Sequence, residues 1–137
     1  MSCKPLIGVA TTTTAAVVAG AQLPLASIIR RRTPCMSLAG NAITIADTGS
    51  NYYLVTVTAT FTAPAAGVVT LTLQQNGATV PSGTASTSVA TANTEVRSLS
   101  FALPIRTTCG QSLDTLAVVN AGVAATFTNI CISVEKL

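Results

Sequence analysis

The sequence predicts an all-β chain, an antiparallel β-sandwich of about eight to ten strands, and three observations carry that expectation. Apolar and hydroxyl residues alternate with a period of two over long runs, most clearly in "NYYLVTVTATFT" at 51–62. Turn signals built on Gly, Pro and Asn punctuate those runs, as in "APAAG" at 63–67 and Asn76-Gly77. No stretch carries a capped 3.6-residue pattern; "VATTTTAAVVAG" has the alanines of a helix, but its consecutive β-branched residues disfavour one. Sandwiches of this strand number are commonly jelly rolls or immunoglobulin-like, and periodicity alone leaves that choice open.

Taken in order, residues 1–25 read as an N-terminal arm or first strand, with residues 26–137 forming one domain. "MSCKPLIGVATTTTAAVVAGA" has the early lysine, soft apolar stretch and A-x-A-like end of a secretory leader. Its four threonines and Pro5 interrupt that pattern, so we read it as part of the fold, suited to arm exchange or to anchoring on a larger assembly. "ASIIRRRT" and "NAITIAD" are short extended pieces separated by Pro34 and Gly40. In the long run that follows, Tyr53, Val55, Val57, Ala59 and Phe61 share one parity, and Thr56, Thr58, Thr60 and Thr62 the other. One face is therefore buried, and threonine suits the other because its β-branch favours extended backbone while its hydroxyl accepts water or a partner chain. After Pro64 and Gly67 the alternation resumes at Val69, Leu71 and Leu73, and Asn76-Gly77 supplies the positive φ of a tight hairpin. Residues 51–80 thus read as three antiparallel strands in a meander. A further strand runs from about Val96 and is expected to end near Pro104. In "TLAVVNAGVAATFTNICISVEKL" the turn at 120–122 separates two strands. Within the second of these the buried parity changes between Phe127 and Ile130, which predicts a bulge near Asn129.

Composition narrows the function. Hydrophobic residues make up 49% and charged residues 8% of the 137, and the formal net charge is +3. Charge depletion of this degree marks a surface partly covered by other copies, because buried interface cores show the same depletion. A surplus this small predicts no general affinity for nucleic acid, and aromatic residues at 4% leave few stacking platforms. Histidine is absent, removing the commonest general base and the commonest zinc ligand together. The four acids, Asp47, Glu95, Asp114 and Glu135, are scattered, which disfavours a paired-carboxylate enzyme. No cofactor and no metal are expected, and no apolar run reaches the length of a membrane span.

The stretch "SLAGNAITIADTGSNYYLVTVTATFTAPAAGVVTLTLQQNGATVPSG" resembles the tumour-necrosis-factor-like and complement-type globular head jelly roll, in the compact form found in bacteriophages and on spore surfaces. The likeness rests on Tyr52 and Tyr53 opening a strand, on the corner Phe61, Thr62, Ala63, Ala65, Ala66 and Gly67, and on Gln75, Asn76 and Gly77 followed by Pro81. The closing "ATFTNICISVEKL", with Asn129, Val134, Glu135 and Lys136, looks like that family's last strand. The resemblance covers residues 22–137 and implies a ten-strand, trimerising jelly roll used in phage head fibres, capsid decoration, spore filaments and animal recognition heads. No catalytic residue carries over. The collagen-like Gly-X-Y stalk of many relatives has no counterpart in this chain.

Arg30, Arg31 and Arg32 form the one charge cluster and the candidate docking site, for a major capsid protein, another virion protein or a carboxylate-bearing host-surface glycan, with nucleic acid the least favoured partner. The plainer alternative is a solvated edge strand whose charges prevent unwanted pairing or are matched inside a trimer. Of Tyr52 and Tyr53, one is expected in the core and the other against a neighbouring subunit. Cys35 and Cys109 flank turns and are the candidate disulfide or thiol pair, while Cys131, alternating with Ile130 and Ile132, is expected to point away from the core. Without a histidine to activate a thiol, a catalytic role for any of them is disfavoured. The functional expectation is a non-enzymatic virion protein on the outer capsid surface, a trimeric decoration or head-fibre protein. A receptor- or glycan-binding module on a phage fibre, spore or cell surface is the alternative.

Overall fold

A computed structural model describes residues 5–32, 35–47, 49–108 and 113–137. Among them the chain forms eleven strands and no helix. The first sheet holds β1 (Leu6–Thr11), β2 (Ala15–Val17), β3 (Ser27–Arg32), β6 (Tyr52–Thr62), β9 (Arg97–Arg106) and β11 (Ala125–Lys136). The second holds β4 (Met36–Ala39), β5 (Ala42–Ile45), β7 (Gly67–Gln75), β8 (Ala78–Val89) and β10 (Asp114–Asn120). Their orders are β3-β1-β11-β6-β9, with β2 beside the near end of β11, and β4-β5-β10-β7-β8. Every pairing is antiparallel.

The alternation in 51–62 does what its period requires. Tyr53, Val55, Val57 and Phe61 of β6 are fully buried, and so are Ile7 and Val9 of β1 and Val134 of β11, their neighbours across the sheet. The second sheet answers with Val69, Leu71 and Leu73 of β7, Leu116 and Val118 of β10, and Ile43 and Ile45 of β5. Phe61 and Phe127 stand opposite each other on β6 and β11, with ring centroids 5.4 Å apart and planes tilted by 56°, within the contact range of aromatic pairs. The expected bulge is present: the β11–β6 register shifts between Phe127 and Asn129, so that Phe127 and Ile130, on opposite parities, both enter the core.

Two expectations are corrected. Residues 51–80 are not a meander, because β6 lies in the first sheet and β7 in the second. The turn at Pro64 carries the chain from the first sheet to the second, and within 51–80 only β7 and β8 form a hairpin, through Asn76 (φ 54°) and Gly77 (φ 82°). Alternation tells which face of a strand is buried but is silent on which strand lies beside it, since both sheets present the same pattern to one shared core. β9 also does not stop at Pro104; it continues to Arg106 because β9 is the edge of its sheet, and the missing N–H can face away from β6.

The N-terminal segment is wired into both sheets. β1 sits between β3 and β11, and β2 pairs with Ala125–Phe127 of β11. Residues 20–23 then run beside β10, with Leu23 N donating to Val118 O at 2.8 Å and Asn120 N donating to Ala21 O at 2.9 Å. The turn after β10 fits only glycine at 122: a Cβ there would lie 2.6 Å from Thr70 N and 3.0 Å from Val69 Cα, both backbone atoms of β7.

Candidate docking surface

Outward-facing residues of the first sheet form ladders that follow from strand register. One row reads Pro104, Leu54, Glu135, Leu6 and Arg32 from β9 across to β3. The next reads Ala102, Thr56, Ser133, Gly8 and Arg30, and a third reads Ser100, Thr58, Cys131 and Ala10. From β9 across to β1 the second and third rows carry methyl, hydroxyl, thiol and glycine with no charge; Glu135 stands in the first row, and arginines stand at the β3 margin. The hydroxyls pair across strands where they can, as Thr60 with Ser98 at 3.2 Å.

Arg30, Arg31 and Arg32 lie together on β3, the outermost strand of this sheet. Arg30 and Arg32 register with Gly8 and Leu6 on the outer face, and Arg31 registers with Ile7 on the core-side face. The β1–β3 register shifts between Gly8 and Val9, so Ile29 is the extra residue of a bulge. All six residues of β3 are exposed, including Ile28 at 39% and Ile29 at 50%. The ion pairs among the described residues are Arg97 with Glu95, 2.5 Å apart, and Lys136 with Asp47, 3.5 Å apart. None of the three arginines takes part in either.

Tyr52 is 54% exposed at the end of the outer face, and Tyr53 is fully buried. Cys131 stands on the outer face between Ala10 and Thr58, half-buried. Cys35 is half-buried just before β4, its carbonyl accepting a bond from Ala46 N. A pairing of Cys35 with Cys109 falls outside the described residues.

Two polar networks escaped the sequence reading. The Asp47 carboxylate accepts from Tyr53 Oη at 2.7 Å, Asn51 Nδ2 at 3.0 Å and Gly49 N at 3.0 Å, with Lys136 Nζ beyond. Burial works to raise the Asp47 carboxyl, but those three hydrogen bonds and the Lys136 charge outweigh it and hold the group below its ordinary value. Burial, and then the bond to Asp47, push the Tyr53 phenol above its own. At the same end, fully buried Asp114 accepts from Asn76 Nδ2 at 2.7 Å, Thr108 N at 3.1 Å and Gln75 Nε2 at 3.2 Å. Asn76 Oδ1 in turn accepts from Thr115 N at 2.9 Å. A buried tyrosine needs a partner for its hydroxyl, so the inward parity of Tyr53 was the one available signal for Asp47. Asp114 offered none, because its side-chain donors, Asn76 and Gln75, lie 38 and 39 residues away.

Beside the Asp114 network lies an open cleft of about 230 Å³, lined by Gln75, Asn76, Thr79, Pro81, Arg106 and Thr108 among others. One wall is the start of β8, Ala78, Thr79, Val80 and Pro81, just before an irregularity where Ser82 takes φ 66° and Gly83 turns inward beneath Leu73. Among the described residues no group of three or more His, Cys, Asp or Glu side chains is placed to hold a metal ion. No helix among them is long and apolar enough to cross a membrane.

No protein-family model matches the chain, and no curated protein matches it. Solved structures do. The Eiger tumour necrosis factor of S. frugiperda superposes with a TM-score of 0.70 at 17% identity, covering 97% of this chain and 93% of its own. The globular domain of zebrafish complement 1qA gives 0.65 at 11% identity, over 98% and 97%. The vertex protein P5 of phage PRD1 gives 0.61 at 13% identity, over 99% and 98%.

Proposed function

The fold is the tumour-necrosis-factor-like, complement-type jelly roll, and from that premise we propose that the chain is a non-enzymatic structural protein of a bacteriophage particle. It decorates the outer capsid or forms a head fibre, trimerises through the outer face of its first sheet, and binds the major capsid protein or another virion protein through β3. The observation that carries this reading is the separation of two surfaces: a face whose centre, around Thr56, Thr58, Cys131 and Ser133, carries no charge, and an arginine edge that makes no ion pair among the described residues. The centre of the face gains on the order of 25 cal/mol per Å² of apolar area that a second copy covers. The edge does not gain in that way, because guanidiniums favour a carboxylate-bearing partner. Likeness to a phage vertex protein supports a place on a virion.

Light scattering and co-sedimentation test both parts. The expected mass is that of three protomers, unchanged by salt, and the expected binding to purified capsids weakens as salt rises. A monomer in solution, or a protein that ignores capsids at low salt, overturns the corresponding half.

One observation favours a second reading, a glycan-binding module exposed on a phage fibre, spore or cell surface. The cleft beside Asp114 gathers Gln75, Asn76, Thr79 and Thr108 around the apolar edge of Pro81, the mixed lining that sugar sites use. A glycan array decides it: signals abolished by Thr79→Trp support this reading, and a blank array rejects it.

A further inference from the structure

β3 is an edge with an unfilled side. Its inner partner is β1, and among the described residues no strand pairs with its other side, where alternate residues present N–H and C=O groups. Natural edges are commonly closed by charge, proline or brevity. Here the charge is of one sign only. Successive arginines put cations on both faces of the strand: Arg30 and Arg32 outward in register with Gly8 and Leu6, Arg31 on the core side in register with Ile7. Ile28, in register with Val9, carries the apolar row of the core out to the rim, where it remains 39% exposed. Such an edge repels a second copy of itself, since another β3 would bring three more guanidiniums to the same place. It does not repel a chain of opposite charge.

We propose that β3 accepts an extended, acidic segment of a partner protein as an added strand. This rests on the reading of β3 as the docking edge and specifies how it docks. The backbone ladder supplies the affinity, carboxylates at successive positions meet Arg30, Arg31 and Arg32 on both faces, and an apolar side chain covers Ile28. A nucleic acid would satisfy the guanidiniums and leave the ladder empty, so it does not fit this edge as well.

Fluorescence anisotropy with two synthetic peptides tests the proposal. The first is a short labelled peptide with a run of successive glutamates flanked by valines, so that carboxylates reach both faces of the added strand; the second has the same residues and charges but is N-methylated at every position, so that it cannot donate to a ladder. The first is expected to bind, and the second to bind at least about tenfold more weakly. Replacing the arginines together (Arg30→Glu, Arg31→Glu and Arg32→Glu) is expected to abolish binding of the first peptide without lowering the melting temperature. Equal affinity for the two peptides overturns strand addition and leaves charge-driven docking by β3 standing. Failure of both peptides on a protein that still co-sediments with capsids also overturns it. Methylation-sensitive peptide binding by a protein that ignores capsids supports strand addition and removes the capsid protein as the partner.

Discussion

Replacing Tyr53 by phenylalanine removes one oxygen from the interior and leaves the ring. The cost follows from the Asp47 network. Tyr53 Oη lies 2.7 Å from Asp47 Oδ2, a hydrogen bond to a carboxylate whose side chain is 15% exposed. Bonds to charged groups contribute about 1.5–3 kcal/mol. Asp47 retains Asn51, Gly49 N and Lys136, so the carboxylate is not orphaned and the lower part of that range applies, about 1.5–2 kcal/mol. For a chain of this length that is a fall of about 5 °C in melting temperature. The size of the loss depends on pH in a direction that the charge state sets. The Asp47 pKa is lowered in the folded protein, so its contribution is present above the unfolded value and disappears as pH falls through the folded one. The Tyr53 pKa is raised above 10.0, so its contribution is present below that value and declines as pH climbs beyond it. Melting curves of the wild-type protein and Tyr53→Phe, at one protomer concentration, should therefore differ most between about pH 5 and pH 9 and converge toward about pH 2. A difference that is constant across that acid limb would refute the ionised Asp47 as the acceptor and reduce Tyr53 to a packing residue.

Three further substitutions probe the core, a turn and the outer face. Phe127→Ala empties a fully buried ring site beside Phe61 and should cost about 3–5 kcal/mol by urea denaturation, with a matching loss of near-ultraviolet dichroism. Gly122→Ala forces a methyl group onto the backbone of β7 at Val69 and Thr70, and should destabilise by more than about 1 kcal/mol where an ordinary surface substitution moves little. Thr58→Arg places a cation in the uncharged centre of the outer face. It should dissociate the assembly in light scattering while leaving the far-ultraviolet spectrum unchanged, and an intact trimer would exclude that face as the subunit contact.

Side-chain direction was legible because it depends on neighbours along the chain. The parity of Val55, Val57 and Phe61 placed the core face of β6, and the parity change between Phe127 and Ile130 located a bulge. Strand neighbours were not legible, because β6 and β7 alternate alike whether they share a sheet or face each other across a core; the turn at Pro64 reads as a turn in both cases. Pro104 misled for a related reason, since its effect depends on whether the strand has a partner on that side. The arginine triplet was visible as a cluster, but its place on an edge required the register with β1. Asp114, joined to Gln75 and Asn76 across β10 and β7, was invisible, as any polar contact must be when fold rather than local spacing brings its members together.

On the proposed function, the scarcity of charge and the presence of Arg30, Arg31 and Arg32 have one explanation between them. A face meant for identical partners gains little from charge, because each unpaired ion buried there carries a desolvation cost that a symmetric contact repeats in every copy. An edge meant for a different partner gains selectivity from charge of a single sign, because the same ions that attract an acidic strand keep other copies of β3 away. The two surfaces meet along Leu6, Gly8 and Ala10 of β1, where the small-residue face ends and the arginine strand begins. Salt separates them: self-association resting on apolar contact should persist as ionic strength rises, and docking resting on guanidiniums should fade over the same range. Were both to fade together, the uncharged face would not be what holds the copies to one another, and the division of labour between face and edge would fall.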